Sequence, residues 1–118
     1  MKIGTDIIQI DRIEKSLDKF GDKFLKRYLC DSEISLIKSP QSAAGFWAAK
    51  EAISKALGCG IGKELSFHDI TISKSPKGAP YFQINNQKNF DIDSSSLSIS
   101  HDGGFAIAVV AISTKDNK

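Results

Sequence analysis

Cysteine is scarce in this chain of 118 residues: Cys30 and Cys59 are the only two, far apart and in no CxxC or Cys/His cluster. That argues against a zinc site and a disulfide framework, and reads as two reduced thiols of a cytosolic protein. No apolar run approaches the ~18 residues of a membrane span. The start, Met1-Lys2-Ile3-Gly4-Thr5-Asp6, meets a carboxylate too soon for the apolar stretch of a signal peptide. A soluble, cytoplasmic protein without membrane association is therefore expected. An excess of charge of one sign is also missing. Sixteen Lys and Arg stand against fourteen Asp and Glu, for a net charge of +2. That balance, without interleaved aromatic and basic residues, argues against nucleic acid as a partner.

What is present is ordinary globular material, 41% hydrophobic and 25% charged, at a length suited to one domain. No repeat and no linker divides it, so residues 1–118 read as a single domain ending in a polar tail, 113–118. Lys2 to Ile10 carries β-branched Ile3, Ile7, Ile8 and Ile10 and reads as a strand with Asp6 in its midst. Ile13, Leu17, Phe20 and Phe24 then recur at spacings of four, three and four, which is helical, and Gly21 is placed to break that helix in two. Asp31-Ser32-Glu33 starts a short helix running to about Lys38. Gln41 to Leu57, alanine-rich, follows Pro40 and stops at Gly58, a suitable C′ residue. The rest reads as β: Asp69 to Ser73, then Tyr81 to Ile84 after Gly78-Ala79-Pro80. A polar stretch from Asn85 to Asp93 with room for a helical turn precedes a hairpin, Ser96 to Ile112, around Asp102-Gly103-Gly104. The fold class is α+β, an antiparallel sheet packed on helices.

The chemistry gathers on the Gln41–Leu57 helix. At about 100° per residue, Lys55 lies roughly 40° from Glu51 and Ser54 roughly 60° the other way, with Gly58 below them. Phe46, Ala49, Ile53, Ala56 and Leu57 fall on the opposite side. On spacing alone, Glu51 and Lys55 read equally as a solvated i,i+4 pair. Position favours more. Glu51 is near the negative end of the helix dipole, which suits a cation better than a bare phosphate. Magnesium takes one or two protein carboxylates and completes its octahedron with water and phosphate oxygens. Asp6 is the natural second carboxylate, although an exposed strand charge reads the same way in sequence.

Two separated segments carry a resemblance to a known family. Ile3-Gly4-Thr5-Asp6-Ile7-Ile8-Gln9-Ile10-Asp11-Arg12-Ile13 is similar to a G-x-D-I-x-x-I-x-R-I opening. Trp47-Ala48-Ala49-Lys50-Glu51-Ala52-Ile53-Ser54-Lys55-Ala56-Leu57-Gly58 is similar to an aromatic-A-x-K-E-A-x-x-K-A-x-G helix. Ser66-Phe67-His68-Asp69-Ile70, Gly78-Ala79-Pro80 and Ser98-Ile99-Ser100-His101 follow in register. From Ile3 to about Ile112 the chain resembles the holo-(acyl-carrier-protein) synthases, the short class of phosphopantetheinyl transferases. The resemblance implies magnesium-dependent transfer of 4′-phosphopantetheine from coenzyme A to a serine of apo acyl carrier protein. Adenosine 3′,5′-bisphosphate would be released, in support of fatty acid biosynthesis. It implies Asp6 and Glu51 as metal ligands, with Glu51 and Lys55 catalytic. Ser54, Lys55 and Gly58 would lie along the coenzyme, and Pro80 and His101 near its adenosine end. It further implies a homotrimer with active sites between subunits. Two positions depart from the family pattern: Phe46 stands where a basic residue is often found, and Ala79 where lysine is common.

Arg12, Lys15, Lys19, Lys23 and Lys26, at spacings of three, four, four and three, would form a basic stripe if that stretch is helical. Acyl carrier proteins are acidic, so the stripe, in particular Arg12, Lys15, Lys19 and Lys23, fits carrier docking by electrostatic steering, alongside the plainer reading of a solvated face. His68 reads as structural and Trp47 as core. The Gly58, Gly60 and Gly62 set follows a helix and lacks a G-K-[ST] ending, so it is not a P-loop.

Overall fold

A computed structural model describes residues 1–85 and 87–115. Strand β1 (Lys2–Gln9) leads directly into α1 (Ile10–Phe20). Then come α2 (Asp22–Lys26), α3 (Asp31–Ile34), α4 (Pro40–Ala56), a 3-10 turn (Phe67–Asp69), and strands β2 (Ile70–Lys74), β3 (Pro80–Ile84), β4 (Ile92–Asp102) and β5 (Phe105–Thr114). One antiparallel sheet has the order β1-β5-β4, and β2 and β3 form a second. The α+β class is as the sequence implies. Gly21, at φ 60°, separates α1 from α2. Gly103 and Gly104, at φ 58° and 85°, form the two-residue turn between the paired Asp102 and Phe105. One reading is corrected. Strand β5 extends to Thr114, so the segment taken as a polar tail begins inside the sheet, where Ser113 pairs with Ser94. Within 85–93 the Lys88 N–H donates to the Asn85 carbonyl at 2.8 Å, a single hydrogen-bonded turn of the kind the polar stretch has room for, and β4 begins at Ile92.

Helix α4 lies on the three-stranded sheet, and its alanines show how close it comes. A Cβ at Gly4 of β1 would overlap the carbonyl oxygen of Ala52 and sit 2.8 Å from the amide nitrogen of Ala56. A Cβ at Gly45 would lie 2.7 Å from Ile99 Cγ2 on β4. The facing residues of β5 are accordingly small or slim: Ala106, Ala108 and Val110, all buried. The helix therefore crosses from β4 to β1 with glycine or alanine at the contacts. Eleven of its seventeen residues are buried, including Lys50 and Ser54. A two-faced helix was the expectation; a central helix, covered nearly all round, is what the fold builds.

The other side of α4 is held by a buried ion pair. Lys50 Nζ donates to Glu33 Oε1 (2.9 Å), to the Tyr28 carbonyl (2.7 Å) and to the Phe67 carbonyl (3.0 Å). Glu33 in turn accepts from the backbone N–H of Cys30 (2.9 Å) and of Ile72 (2.7 Å). Neither side chain has exposed surface. Burial alone would push the Lys50 ammonium toward deprotonation, and Glu33 opposes this. One pair thus ties α4 to the end of α2, to α3, to the 3-10 turn and to β2. Beside it, Trp47 packs on Phe67 (centroids 4.8 Å apart) and on the edge of Tyr28 (4.9 Å). Trp47 is a packing residue, as expected, and His68 is tied to structure, donating from Nε2 to the Lys26 carbonyl.

Removing one partner of such a pair leaves a buried charge uncompensated, at a typical loss of about 3–5 kcal/mol. Glu33→Ala is expected to lose stability in that range in urea unfolding followed by circular dichroism. Glu33→Gln, which can still accept from Ile72, should lose less.

Candidate functional site

Strand β1 alternates. Gly4, Asp6 and Ile8 face α4, while Ile3, Thr5 and Ile7 face away. Asp6 is thereby carried beneath the C-terminal half of α4, next to the small Ala108 of β5. Its side chain keeps only 15% of its surface exposed, and its Oδ1 accepts from Lys55 Nζ at 2.8 Å. Lys55 therefore gives its hydrogen bond to Asp6 across the fold, forty-nine residues away, and not to Glu51 one turn back. The plain i,i+4 reading fails on this point.

Glu51 is half-buried between the two. Its carboxyl is pushed above the ordinary 4.5, first by desolvation and then by the negative charge of Asp6, while Lys55 pulls it down. Lys55 is raised in turn by its bond to Asp6. Two carboxylates thus lie within reach of each other's charge with one ammonium beside them. No cluster of three or more metal-ligating side chains occurs among the described residues. Two carboxylates suit magnesium, which draws its remaining ligands from water and phosphate. The donor set, and the position of a cation already bonded to Asp6, fit such an ion.

The remaining residues divide. Ser54 is a correction: it is fully buried, and its hydroxyl donates to the Glu51 carbonyl at 2.7 Å. Its own carbonyl accepts from the N–H groups of Cys59 and Gly60, both at 3.2 Å. Ser54 thus helps close the helix end, and offers no exposed surface to a ligand. The wheel misplaced it because the turn after α4 folds back over that face. Gly58 sits at the C′ position with φ 82°, exposed, with nothing within 4 Å of a would-be Cβ. It ends the helix and leaves open space near Lys55.

Pro80 and His101 come together elsewhere. They line a cleft of about 260 Å³ with Ser39, Ser42, Phe46 and Lys74 at the N-terminal end of α4. Phe46 and Lys55 are nine residues apart, about 13 Å along the axis. Within one chain, the carboxylate pair and the Pro80–His101 cleft occupy different ends of the same helix.

The basic residues Arg12, Lys15, Lys19 and Lys23 are all exposed, but the stripe is not one helical row. Gly21 turns the chain, so Lys23 belongs to α2. Lys15 pairs with Asp11 at 3.0 Å. Phe20, expected in the apolar set, is 41% exposed, with Lys19 and Arg27 over its ring at 5.3 and 5.0 Å. Lys50, Glu33 and Lys74 were not singled out by sequence. Lys50 sits inside the K-E-A segment, but nothing there shows that it points inward.

A sequence model of the family described as the 4′-phosphopantetheinyl transferase superfamily matches residues 2–110. The chain is 61% identical over 114 residues to a protein of Sulfurovum sp. named holo-(acyl-carrier-protein) synthase, covering 95% of this chain and 96% of that one. The crystal structure of Helicobacter pylori holo-(acyl-carrier-protein) synthase in complex with coenzyme A is 59% identical. It superposes with a TM-score of 0.90, covering 94% and 99% of the two chains. The synthase from Bacillus anthracis, in complex with CoA (3′,5′-ADP), is 40% identical with a TM-score of 0.82, covering 97% and 96%.

A carboxyl raised in the folded state contributes stability that is complete below its unfolded pKa and is lost as the pH rises through its folded one. For Glu51 that window opens at the ordinary 4.5 and extends upward. Asp6→Asn removes the repelling charge and frees Lys55. The Glu51 carboxyl should then titrate lower in a carbon-13 NMR titration, and the stability lost across the window should shrink. A Glu51 titration unmoved by Asp6→Asn would show that the two do not interact.

Proposed function

The chain belongs to the 4′-phosphopantetheinyl transferase superfamily, and from that premise we propose that it works as a magnesium-dependent holo-(acyl-carrier-protein) synthase through Asp6, Glu51 and Lys55. It transfers 4′-phosphopantetheine from coenzyme A to a serine of apo acyl carrier protein, giving the holo carrier used in fatty acid biosynthesis and adenosine 3′,5′-bisphosphate. The observation that carries the assignment of residues is the meeting of Asp6, Glu51 and Lys55 from two separate motifs. The absence, among the described residues, of any helix long and apolar enough to cross a membrane is compatible with a soluble carrier as substrate.

In the reaction, the carrier serine Oγ attacks the β-phosphorus of coenzyme A, and the bond from that phosphorus to the bridging oxygen breaks. Magnesium, when bound by Asp6 and Glu51, would neutralise the diphosphate charge and align attacking and leaving oxygens. In the metal-free protein the Glu51 carboxyl is raised by desolvation and by Asp6, whereas a bound cation would favour its ionised form. Ionised and beside the attacking group, Glu51 would accept the serine proton, directly or through a water. Lys55, exposed beyond its bond to Asp6, presents its remaining N–H donors to the phosphate oxygens. Gly58 keeps the space beside it open, and Pro80 and His101 flank the adenosine end in the cleft. Arg12, Lys15, Lys19 and Lys23 give the acidic carrier an exposed positive surface.

A homotrimer with shared sites accounts for two further features. The outer face of the sheet is apolar and uncovered: Ile3 is 59% exposed, Ile7 58%, Ile107 and Val109 42% each, and Phe105 38%. In register, Ile7 lies opposite Ile107 and Gln9 opposite Phe105. Contiguous apolar surface of this kind marks association sites. Packing between copies would also let the carboxylate pair of one chain complete the cleft of the next.

Apo carrier incubated with coenzyme A and the protein should gain the mass of one phosphopantetheine only when magnesium is present. Asp6→Asn and Glu51→Gln should remove the gain, and they should also remove the rise in thermal midpoint that magnesium alone gives the native protein. No gain with any of several carriers would sink the assignment. For the assembly, Ile107→Lys should convert a trimer into monomers by light scattering and cut transfer; a native protein that is itself monomeric at working concentration rules the trimer out.

A further inference from the structure

Helix α4 carries two lysines. Lys55 is exposed and takes part in the proposed chemistry, whereas Lys50 has no exposed surface and no task in it. Its three N–H donors all have partners: Tyr28 carbonyl at 2.7 Å, Glu33 Oε1 at 2.9 Å and Phe67 carbonyl at 3.0 Å. An ammonium has no fourth donor, so none is free to move to another acceptor. Glu33 is equally engaged, with the N–H groups of Cys30 and Ile72 on its oxygens. None of these partners belongs to α4. They come from the end of α2, from α3, from the 3-10 turn and from β2. The helix is thus gripped at one point of its circumference by several segments that do not otherwise share its face.

The contact with the sheet is of another kind. There α4 presents Gly45, Ala52 and Ala56, close to Ile99 and Gly4. Such contacts fix how near the helix lies. Apolar contacts carry no direction, and residues this small offer little resistance to rotation about the helix axis. That angle is left to Lys50. Lys50 and Glu51 project about 100° apart, so the direction of one dictates the direction of the other. With the Glu51 carboxylate ~5 Å from the axis, a roll of about 20° would displace it by roughly 2 Å. Magnesium demands near-ideal octahedral geometry at about 2.0–2.1 Å, so a displacement of that size would take the ligand away from the ion. Lys55, one turn beyond Glu51, depends on the same angle for its 2.8 Å bond to Asp6.

We propose that Lys50 and Glu33 are positioning residues for the Glu51 carboxylate: their buried pair sets the rotation of α4 about its own axis and so holds Glu51 toward Asp6, on the reading of those two carboxylates as the magnesium ligands. Lys50 and Glu33 act only through the helix and touch neither metal nor substrate. A pair retained for stability alone could give way to a neutral pair of similar volume with no consequence for the metal, since buried charges recover little net stability. A pair that sets an angle cannot, because the neutral pair lacks the same directional bonds.

The double variant Lys50→Met with Glu33→Gln removes both charges together, leaves no ion uncompensated, and keeps an acceptor for the Ile72 N–H. It should stay folded. Calorimetry on the metal-free protein should show magnesium bound about tenfold more weakly than by native protein. The nuclear Overhauser contact between the Lys55 ε-protons and the Asp6 β-protons, present in native protein, should be lost. Glu33→Asp keeps both charges and withdraws the carboxylate by one methylene. It should move both readouts the same way by a smaller factor, and it decides the matter where the double variant does not fold. Ile112→Ala opens a cavity at the far end of β5, opposite Lys2, and serves as a destabilised control with the pair intact. It should keep native affinity and the native contact. Native affinity with an intact Lys55–Asp6 contact in both pair variants would reduce Lys50 and Glu33 to stabilising residues and overturn the proposal. An Ile112→Ala protein that lost as much affinity as the double variant would do the same. Native protein that binds no magnesium would refute the metal reading instead, and the Lys55–Asp6 contact, which needs no metal, would still decide the positioning role.

Discussion

The proposed site depends on how closely α4 approaches the sheet. Gly4 allows the backbone of β1 to touch that of α4 at Ala52 and Ala56, with no side chain between. At that separation a carboxylate two residues further along β1 necessarily lies beside the next turn of the helix. Asp6 meets Lys55 at 2.8 Å because Gly4 meets Ala52. Any residue larger than glycine would lift the strand away and open the carboxylate pair. The alanines of α4 and of β5 serve the same contact from the other sides. Composition that looks like simple helix propensity is, in three dimensions, a spacing constraint.

The Lys50–Glu33 pair applies the complementary restraint. The sheet fixes one side of α4, and this pair fixes the other, so the helix has little freedom to roll. Rolling would matter, since Lys50 and Glu51 are neighbours and their side chains project about 100° apart. While Lys50 is held by three oxygens inside the core, Glu51 is compelled to point the other way, toward Asp6. Buried ion pairs are weak evidence for stability, because their desolvation offsets much of the attraction. Here the satisfied network specifies orientation, a role that an apolar pair of similar volume would not reproduce with the same directional bonds to Tyr28, Phe67, Cys30 and Ile72.

Much of this was legible in the sequence. The α+β class, the Gly21 break, the α4 boundaries and the Gly103-Gly104 turn follow from local rules, since each depends on a few adjacent residues and their dihedral preferences. Asp6 and Glu51 were legible as a pair only through two motifs read together, because no periodicity connects residues forty-five apart. What the sequence hid was burial. A helical wheel assumes one wet face, yet Ser54 is covered by the turn that follows it, and Lys50 is polar but interior. The hairpin's apolar strand posed the reverse problem. Ala106, Ala108 and Val110 are buried, whereas Phe105, Ile107 and Val109 alternate with them on an uncovered face. Alternation was masked because the residues on both faces of the strand are apolar.

Charge behaves differently from burial in this respect. A motif records a basic residue at a sequence position, while a ligand responds to a charge at a point in space. At position 46 the two part company: an aromatic replaces the expected cation, and Lys74 enters from another sheet to lie against it. The ring is too buried to contact a phosphate itself, but its face offers the lysine stem an apolar surface and its ammonium a weak electrostatic hold. A substitution that removes a charge from the helix can therefore leave the field in the cleft much as it was. The positions read from the motif were incomplete because the compensating residue lies on β2, a strand whose distance in sequence carries no sign of its place beside α4.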